Sequence, residues 1–147
     1  MMEGSLLEKL AGEIGRYNDK AFLKAAMAVC ALTATADEEV SLAEHHRIDE
    51  IIAKEPTLKQ LDAERATDTL YDYILAVRSY GDSARRVLYG KVQRMAGDHK
   101  KSRTLMRVAY LVIAADRKIR EAEREELRRL CGALGLEPEQ VWRELAG

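Results

Sequence analysis

One segment of the chain is so uniformly apolar that no face of a helix built from it would be polar. Residues 25–36 carry no charged side chain and consist of Ala, Met, Val, Cys, Leu and Thr. Such a helix has no side suited to water, so we expect other helices to surround it. Because the segment is too short to span a bilayer, this burial should occur within the protein.

The same plan recurs 79 residues later, where residues 104–123 repeat the pattern of residues 25–44. Each copy has an apolar helix, then an acidic turn, then the start of a second helix. The identical positions are Met27 and Met106, Val29 and Val108, Leu32 and Leu111, Ala36 and Ala115, Asp37 and Asp116, Ala43 and Ala122, and Glu44 and Glu123. We therefore predict an internal pseudo-twofold repeat around two buried helices, with halves at about 19–55 and 98–134.

The segments outside the two buried helices have the 3.6-residue periodicity of amphipathic helices, and no strand is predicted. The second buried helix is expected over about residues 101–115. Helices are also expected over residues 6–17, 41–55, 62–80, 82–96 and 121–134, with a last helix that begins at Pro138. Gly81, Gly97 and Gly135 are expected to end helices, because glycine tolerates the backbone conformation found there. The predicted fold class is all-α: a single-domain bundle of about seven to nine helices over residues 1–147.

Aspartates precede several of these helices and are expected to cap them. Asp19 and Asp98 are themselves separated by 79 residues, and Asp82 precedes the helix after Gly81. A carboxylate at this position accepts a hydrogen bond from the free backbone N–H groups of the first helical turn.

Composition supports a helical protein and gives an expectation about compartment. Aromatic residues make up only 5% of the chain and there are two prolines, which favours helix over sheet. Cys30 and Cys131 fall on apolar helical positions without metal-ligand spacing, so we expect reduced core thiols. The chain shows no signal-peptide pattern and no transmembrane segment, so a cytoplasmic location is expected.

Charge is distributed unevenly, although the net charge is only -1. Residues 1–81 carry fifteen acidic against nine basic side chains, whereas residues 82–107 carry eight basic against two acidic ones. The basic side chains are Arg85, Arg86, Lys91, Arg94, Lys100, Lys101, Arg103 and Arg107. They form a solvated face, pair with the acidic half of the same chain, or dock an anionic partner such as the inner face of a membrane. Nucleic acid is not expected, because only Tyr89 interleaves as an aromatic residue and no recognition motif is present.

The two halves of the repeat resemble the bacterial TerB tellurite-resistance family. Its members carry, in each half, a buried helix that ends in a turn of the form Asp-Gly-x-(Val or Ile)-x-x-x-Glu. The matching segments here are residues 16–44 and 104–141. Glu38 and Arg117 occupy the positions at which the family motif has glycine.

The resemblance implies an all-helical fold with a pseudo-twofold and an acidic surface associated with divalent cations. It also implies a non-enzymatic role in a stress-response assembly linked to tellurite and other toxic challenges. A protein partner is then expected, and peripheral association with a membrane complex at the inner membrane is one form that the assembly can take.

The motif acids, Asp37, Glu44, Asp116 and Glu123, are the candidate metal ligands. An acid that follows a helix C-terminus is disfavoured by about 0.3–1 kcal/mol unless a positive charge is close. Ca²⁺ or Mg²⁺ would supply that charge, because both prefer oxygen ligands and accept water in the remaining positions. In the second turn, neighbouring basic side chains such as Arg117 can take the cation's place.

A structural interpretation of the same acids remains open. Asp in a helix–helix turn can cap the next helix, Glu44 fits a capping box that begins at Ser41, and Glu123 lies in a first turn, where acids are favoured. The alternative function is therefore a metal-free interaction module that docks a partner through its acidic and basic faces. No catalytic residue is predicted, because the cysteines lie on buried positions and there is no glycine-rich phosphate loop.

Overall fold

The computed structural model describes residues 20–36, 63–114 and 119–146. All regular secondary structure in these ranges is helical, which confirms the predicted all-α class. The helices are α1 (Lys20–Ala34), α2 (Ala63–Tyr80), α3 (Asp82–Gln93), α4 (His99–Ala114), α5 (Glu121–Leu134) and α6 (Pro138–Ala146). The predicted helices at 6–17 and 41–55 lie outside the described residues, so a total of seven to nine helices stays a prediction.

Helix α1 is the centre of the described bundle, as the uncharged run over residues 25–36 predicts. Every residue from Ala25 to Ala34 is buried, and the helix packs against α2, α3, α4 and α5. Thr33 is the polar residue in this run, and its hydroxyl donates to the carbonyl of Val29 at 2.9 Å. The run from Ala25 to Ala34 therefore has no polar side chain that needs water.

Helix α4 corresponds to α1 in the repeat, but it is less completely enclosed. Adding the 79-residue offset to the bounds of α1 gives residues 99–113, and α4 covers His99–Ala114. Its inner face, which includes Leu105 and Met106, is buried, whereas Arg107 is half-buried. The pseudo-twofold itself involves residues 37–62 and stays a prediction.

Helix ends follow the predicted signals in most places. Asp98 caps α4, because its Oδ1 accepts a hydrogen bond from the backbone N–H of Lys101 at 3.1 Å. Gly135 ends α5 in the left-handed conformation with φ of 70°. The prediction that Asp82 caps α3 is wrong: Gly81 occupies the N-cap position, and Asp82 lies in the first turn without a capping hydrogen bond. There Asp82 faces the positive end of the helix.

Both cysteines are buried and free. Burial raises the pKa of the Cys30 thiol to about 12 and that of the Cys131 thiol to about 11, with Glu137 adding to the second shift. Both are therefore protonated core residues at neutral pH, as their apolar positions predict. Across the described ranges, no helix has the length and apolar character needed to cross a bilayer.

Candidate functional site

Three of the four predicted metal ligands, Asp37, Glu44 and Asp116, lie outside the described residues. The fourth, Glu123, lies in the first turn of α5 and is 4% exposed. Its Oε1 accepts a hydrogen bond from the backbone N–H of Arg120 at 2.9 Å. Glu123 is thus the N3 residue, the third of the helix, in a capping box at the N-terminus of α5.

A second buried carboxylate, Glu126, lies one turn further along the same helix. It is 2% exposed, and its Oε1 accepts a hydrogen bond from Nη2 of Arg85 on α3. The other terminal nitrogen of Arg85, Nη1, donates to Oγ1 of Thr35 at 3.3 Å. Arg85 therefore joins α5 and α3 to the end of α1, directly before the first acidic turn.

The charge of this cluster is not fully compensated by hydrogen bonding. Oε2 of Glu126 is buried and has no hydrogen-bond partner among the described residues. Burial lowers the pKa of the Arg85 guanidinium, the charge of Arg129 acts in the same direction, and Asp82 opposes both. Since an arginine remains protonated despite such a shift, the Arg85 charge faces Glu126, whose second oxygen has no donor within the described ranges.

Sequence analysis missed Glu126, although a signal was present. The inward face of α5 is marked by Leu127, Leu130 and Leu134, and Glu126 precedes Leu130 by four residues, which places both on one helical face. An acid at such a position is normally assumed to face solvent. Its partner Arg85 is 41 residues away in the chain, so the pairing has no local sequence signal.

Several side chains of the basic stretch make contacts within the chain, whereas its pairing with the acidic half stays a prediction. Arg85 pairs with Glu126, and Arg103 of α4 pairs with Glu144 of α6. Lys91 lies over the ring of Tyr73, with its Nζ 5.8 Å from the ring centroid. The acids in these ion pairs belong to the C-terminal helices and not to the acidic first half of the chain. The side chains that remain exposed include Arg86, Arg94 and Lys100.

The described residues do not bring enough ligands together for a metal site on their own. No group of three or more His, Cys, Asp or Glu side chains with suitable placement occurs within residues 20–36, 63–114 and 119–146. Glu123 and Glu126 share an inward face of α5, but three of the predicted ligands fall on the acidic turns outside these ranges. The cation-binding interpretation therefore depends on those turns.

Comparison with known proteins gives the family. Searches among curated proteins and among solved structures return no significant match. The family model described as "Tellurite resistance protein TerB" matches residues 23–144, which includes every described helix in whole or in large part. This range contains both copies of the acidic motif, at 37–44 and 116–123. The chain therefore belongs to the TerB family of tellurite resistance proteins, as the doubled motif predicts.

Proposed function

We propose that this protein is a non-enzymatic adaptor of the stress response to tellurite, and that a divalent cation bound at its acidic turns controls its contact with a protein partner. The proposal places it in the cytoplasm, with peripheral attachment to a complex at the inner membrane. Membership of the TerB family supports the link to tellurite. The charge arrangement around Glu126 supports the cation.

The observation that carries the cation proposal is the unsatisfied oxygen of Glu126. A buried carboxylate oxygen without a donor is costly, at about 1–3 kcal/mol or more when charged. Arg85 donates hydrogen bonds to both Glu126 and Thr35, so these two residues lie on either side of one guanidinium. The first acidic turn begins two residues after Thr35 in the chain. A hard cation in this region would satisfy the free oxygen and offset the acidic charge of the turn.

The proposed ligands are the carboxylates of Asp37, Glu44, Asp116 and Glu123, with Glu126 as an additional one. Glu123 already accepts a backbone hydrogen bond through Oε1, which fixes the orientation of its carboxylate. Ca²⁺ takes six to eight oxygen ligands and Mg²⁺ six, so water completes the coordination of either ion.

The second candidate function is the metal-free interaction module, and the capping role of Glu123 favours it. Under this alternative the motif acids are helix caps, and Arg85 is the counterion that Glu126 needs. An anionic partner would then dock on exposed basic side chains such as Arg86, Arg94 and Lys100. Salt would weaken that complex, because exposed charges are screened.

Thermal unfolding of the metal-stripped protein distinguishes the two candidates. A ligand that binds only the folded state stabilises it by about 2.7 kcal/mol at a concentration 100 times its Kd. We expect Ca²⁺ or Mg²⁺ to raise the melting temperature of the parent protein but not of the Asp37→Asn/Asp116→Asn variant. Glu121→Gln is the matched control, because that side chain is 79% exposed and its loss should leave the cation effect intact.

An unchanged melting temperature at saturating cation would overturn the cation proposal and leave the metal-free module. The adaptor role is tested separately by affinity capture from tellurite-treated cells, with and without a chelator. Capture of the same partner by the parent protein only in the presence of cation would support the complete proposal. A partner retained equally by the Asp37→Asn/Asp116→Asn variant in chelator would support the metal-free module.

A further inference from the structure

A cavity of about 380 Å³ lies between α4, α5 and α6. None of the proposed cation ligands is among its lining residues. Its volume is within the range of about 300–1,000 Å³ found for small-molecule sites. The apolar part of the wall includes Met106, Leu127, Cys131, Val141, Trp142 and Leu145. Such a surface favours an apolar ligand group, because its burial removes hydrocarbon from water.

Trp142 forms a wall of fixed orientation. Its ring meets that of Tyr110 edge to face, with centroids 5.9 Å apart and an interplanar angle of 82°. The guanidinium of Arg124 lies over the Trp142 ring, 5.6 Å from its centroid. Contacts of both kinds are attractive, so the indole is held between α4 and α5 before any ligand arrives.

The helix that carries Trp142 is itself anchored at both ends. Gly135 adopts the left-handed conformation that turns the chain after α5, and Pro138 begins α6. Near the other end, Glu144 pairs with Arg103 of α4. The cavity is therefore bounded by secured helices, which reduces the entropy cost of binding.

The charged side chains that line the cavity are predominantly cationic. They are Arg124, Arg128, Arg143 and Glu139. Arg128 is already compensated, because it lies 2.9 Å from Glu125 and 3.8 Å from Glu121. Arg124 and Arg143 form no ion pair among the described residues, against the single acid Glu139. The uncompensated charge is thus positive.

The floor of the cavity remains neutral. Burial raises the pKa of the Cys131 thiol to about 11, so it is protonated at neutral pH and acts as an apolar surface. A ligand anion therefore meets no negative charge from this cysteine.

We propose that the cavity binds a small amphipathic anion, namely an unbranched fatty acyl chain with a carboxylate head. The chain lies on Trp142 and the apolar floor, and the carboxylate faces Arg124 and Arg143. A neutral ligand of the same length lacks the attraction between the carboxylate and the two arginines, and a cationic ligand is repelled by them. This site is independent of the cation proposed at the acidic turns.

Fluorescence provides a direct assay, because Trp142 is the only tryptophan of the chain. The probe is decanoate, titrated below the concentration at which it forms micelles, with decanol and decyltrimethylammonium as neutral and cationic analogues. We expect saturable binding of decanoate, weaker binding of decanol by about threefold or more, and weaker binding still of the cation. Within a series from hexanoate to decanoate, each methylene should tighten binding by up to about fourfold until the cavity is filled.

Two variants and one control locate the site. Arg143→Gln should reduce the preference for decanoate over decanol, whereas Arg86→Gln, which removes an exposed charge on α3, should leave that preference unchanged. Cys131→Met fills part of the cavity with apolar volume and should weaken the longest chains most. Far-UV circular dichroism and the melting temperature verify that each variant is folded.

The absence of saturable binding would overturn the proposal. Equal affinity for decanoate and decanol would also overturn it, since the basic side chains would then have no role. Unchanged decanoate affinity in folded Cys131→Met protein would show that the ligand binds elsewhere, and would overturn it as well. A free fatty acid is distinguished from a lipid surface by titration with anionic phospholipid vesicles, which should not alter Trp142 fluorescence.

Discussion

Replacement of Arg85 by methionine tests the buried cluster on which the cation proposal depends. Met retains much of the aliphatic volume of Arg85 but removes the charge that faces Glu126. Because Glu126 is 2% exposed, water cannot reach it, and the screening that weakens surface ion pairs is small. An uncompensated charge of this kind costs about 3–5 kcal/mol.

The double variant Arg85→Met/Glu126→Leu should behave differently from the single one. It removes the buried charge together with its counterion and the unsatisfied Oε2 of Glu126. Replacement of both members of a buried ion pair by apolar residues is often neutral or stabilising by about 1–4 kcal/mol. The double variant should therefore recover most of the stability that Arg85→Met loses.

Urea unfolding in the presence of a chelator measures these free energies without a contribution from metal. For a chain of this length, the loss in Arg85→Met corresponds to a melting temperature lower by about 6–20 °C. Arg86→Met is the matched control, because its side chain is exposed on the same helix. The reasoning is refuted if Arg85→Met costs less than about 1 kcal/mol, or if the effects of the two substitutions simply add.

Three further predictions concern the helix ends and the cysteines. Asp98→Ala should cost about 0.5–2 kcal/mol in urea unfolding, whereas Asp82→Ala, which removes no capping hydrogen bond, should cost less; equal losses would contradict the assignment. Gly135→Ala should lower the free energy of unfolding by about 1 kcal/mol, because φ at this position is 70°. Gly90→Ala should raise it by about 0.5–1 kcal/mol, because the added methyl group lies in open space within α3. Changes of the same sign would be inconsistent with the backbone geometry. Cys30 and Cys131 should resist alkylation at pH 8 in the folded protein and react on unfolding. Their pKa values of about 12 and about 11 leave little thiolate below pH 10. Mass spectrometry after timed quenching measures the extent of alkylation.

Local sequence signals predict the bounds of a described helix well where both ends of the helix have a start or stop signal. The expected helix Glu121–Leu134 agrees with α5 at both bounds, since an acidic first turn begins it and Gly135 ends it. The burial of α1 follows from a segment that offers no polar face. Asp82 is the exception: Gly81, in an unusual conformation with φ of 59°, takes the N-cap position, and the preference of Asp for that position does not reveal this.

The charged cluster could not be predicted in the same way, because it depends on tertiary contacts. Glu126 and Arg85 each have an ordinary solvent-exposed interpretation in sequence, and only the packing of α3 against α5 buries them together. Likewise, the pairing of Arg103 with Glu144 depends on where α6 lies against α4. Glu123 was predictable as an acid of a first turn, and its hydrogen bond to Arg120 matches that interpretation.

Calorimetric titration of the metal-stripped protein with Ca²⁺ and with Mg²⁺ measures directly whether the acidic turns bind a cation. We expect saturable binding by the parent protein and by Glu121→Gln, and loss of that binding in the Asp37→Asn/Asp116→Asn variant. No heat above dilution at millimolar cation, with the parent protein fully folded, would overturn the cation proposal and leave the acidic turns as helix caps.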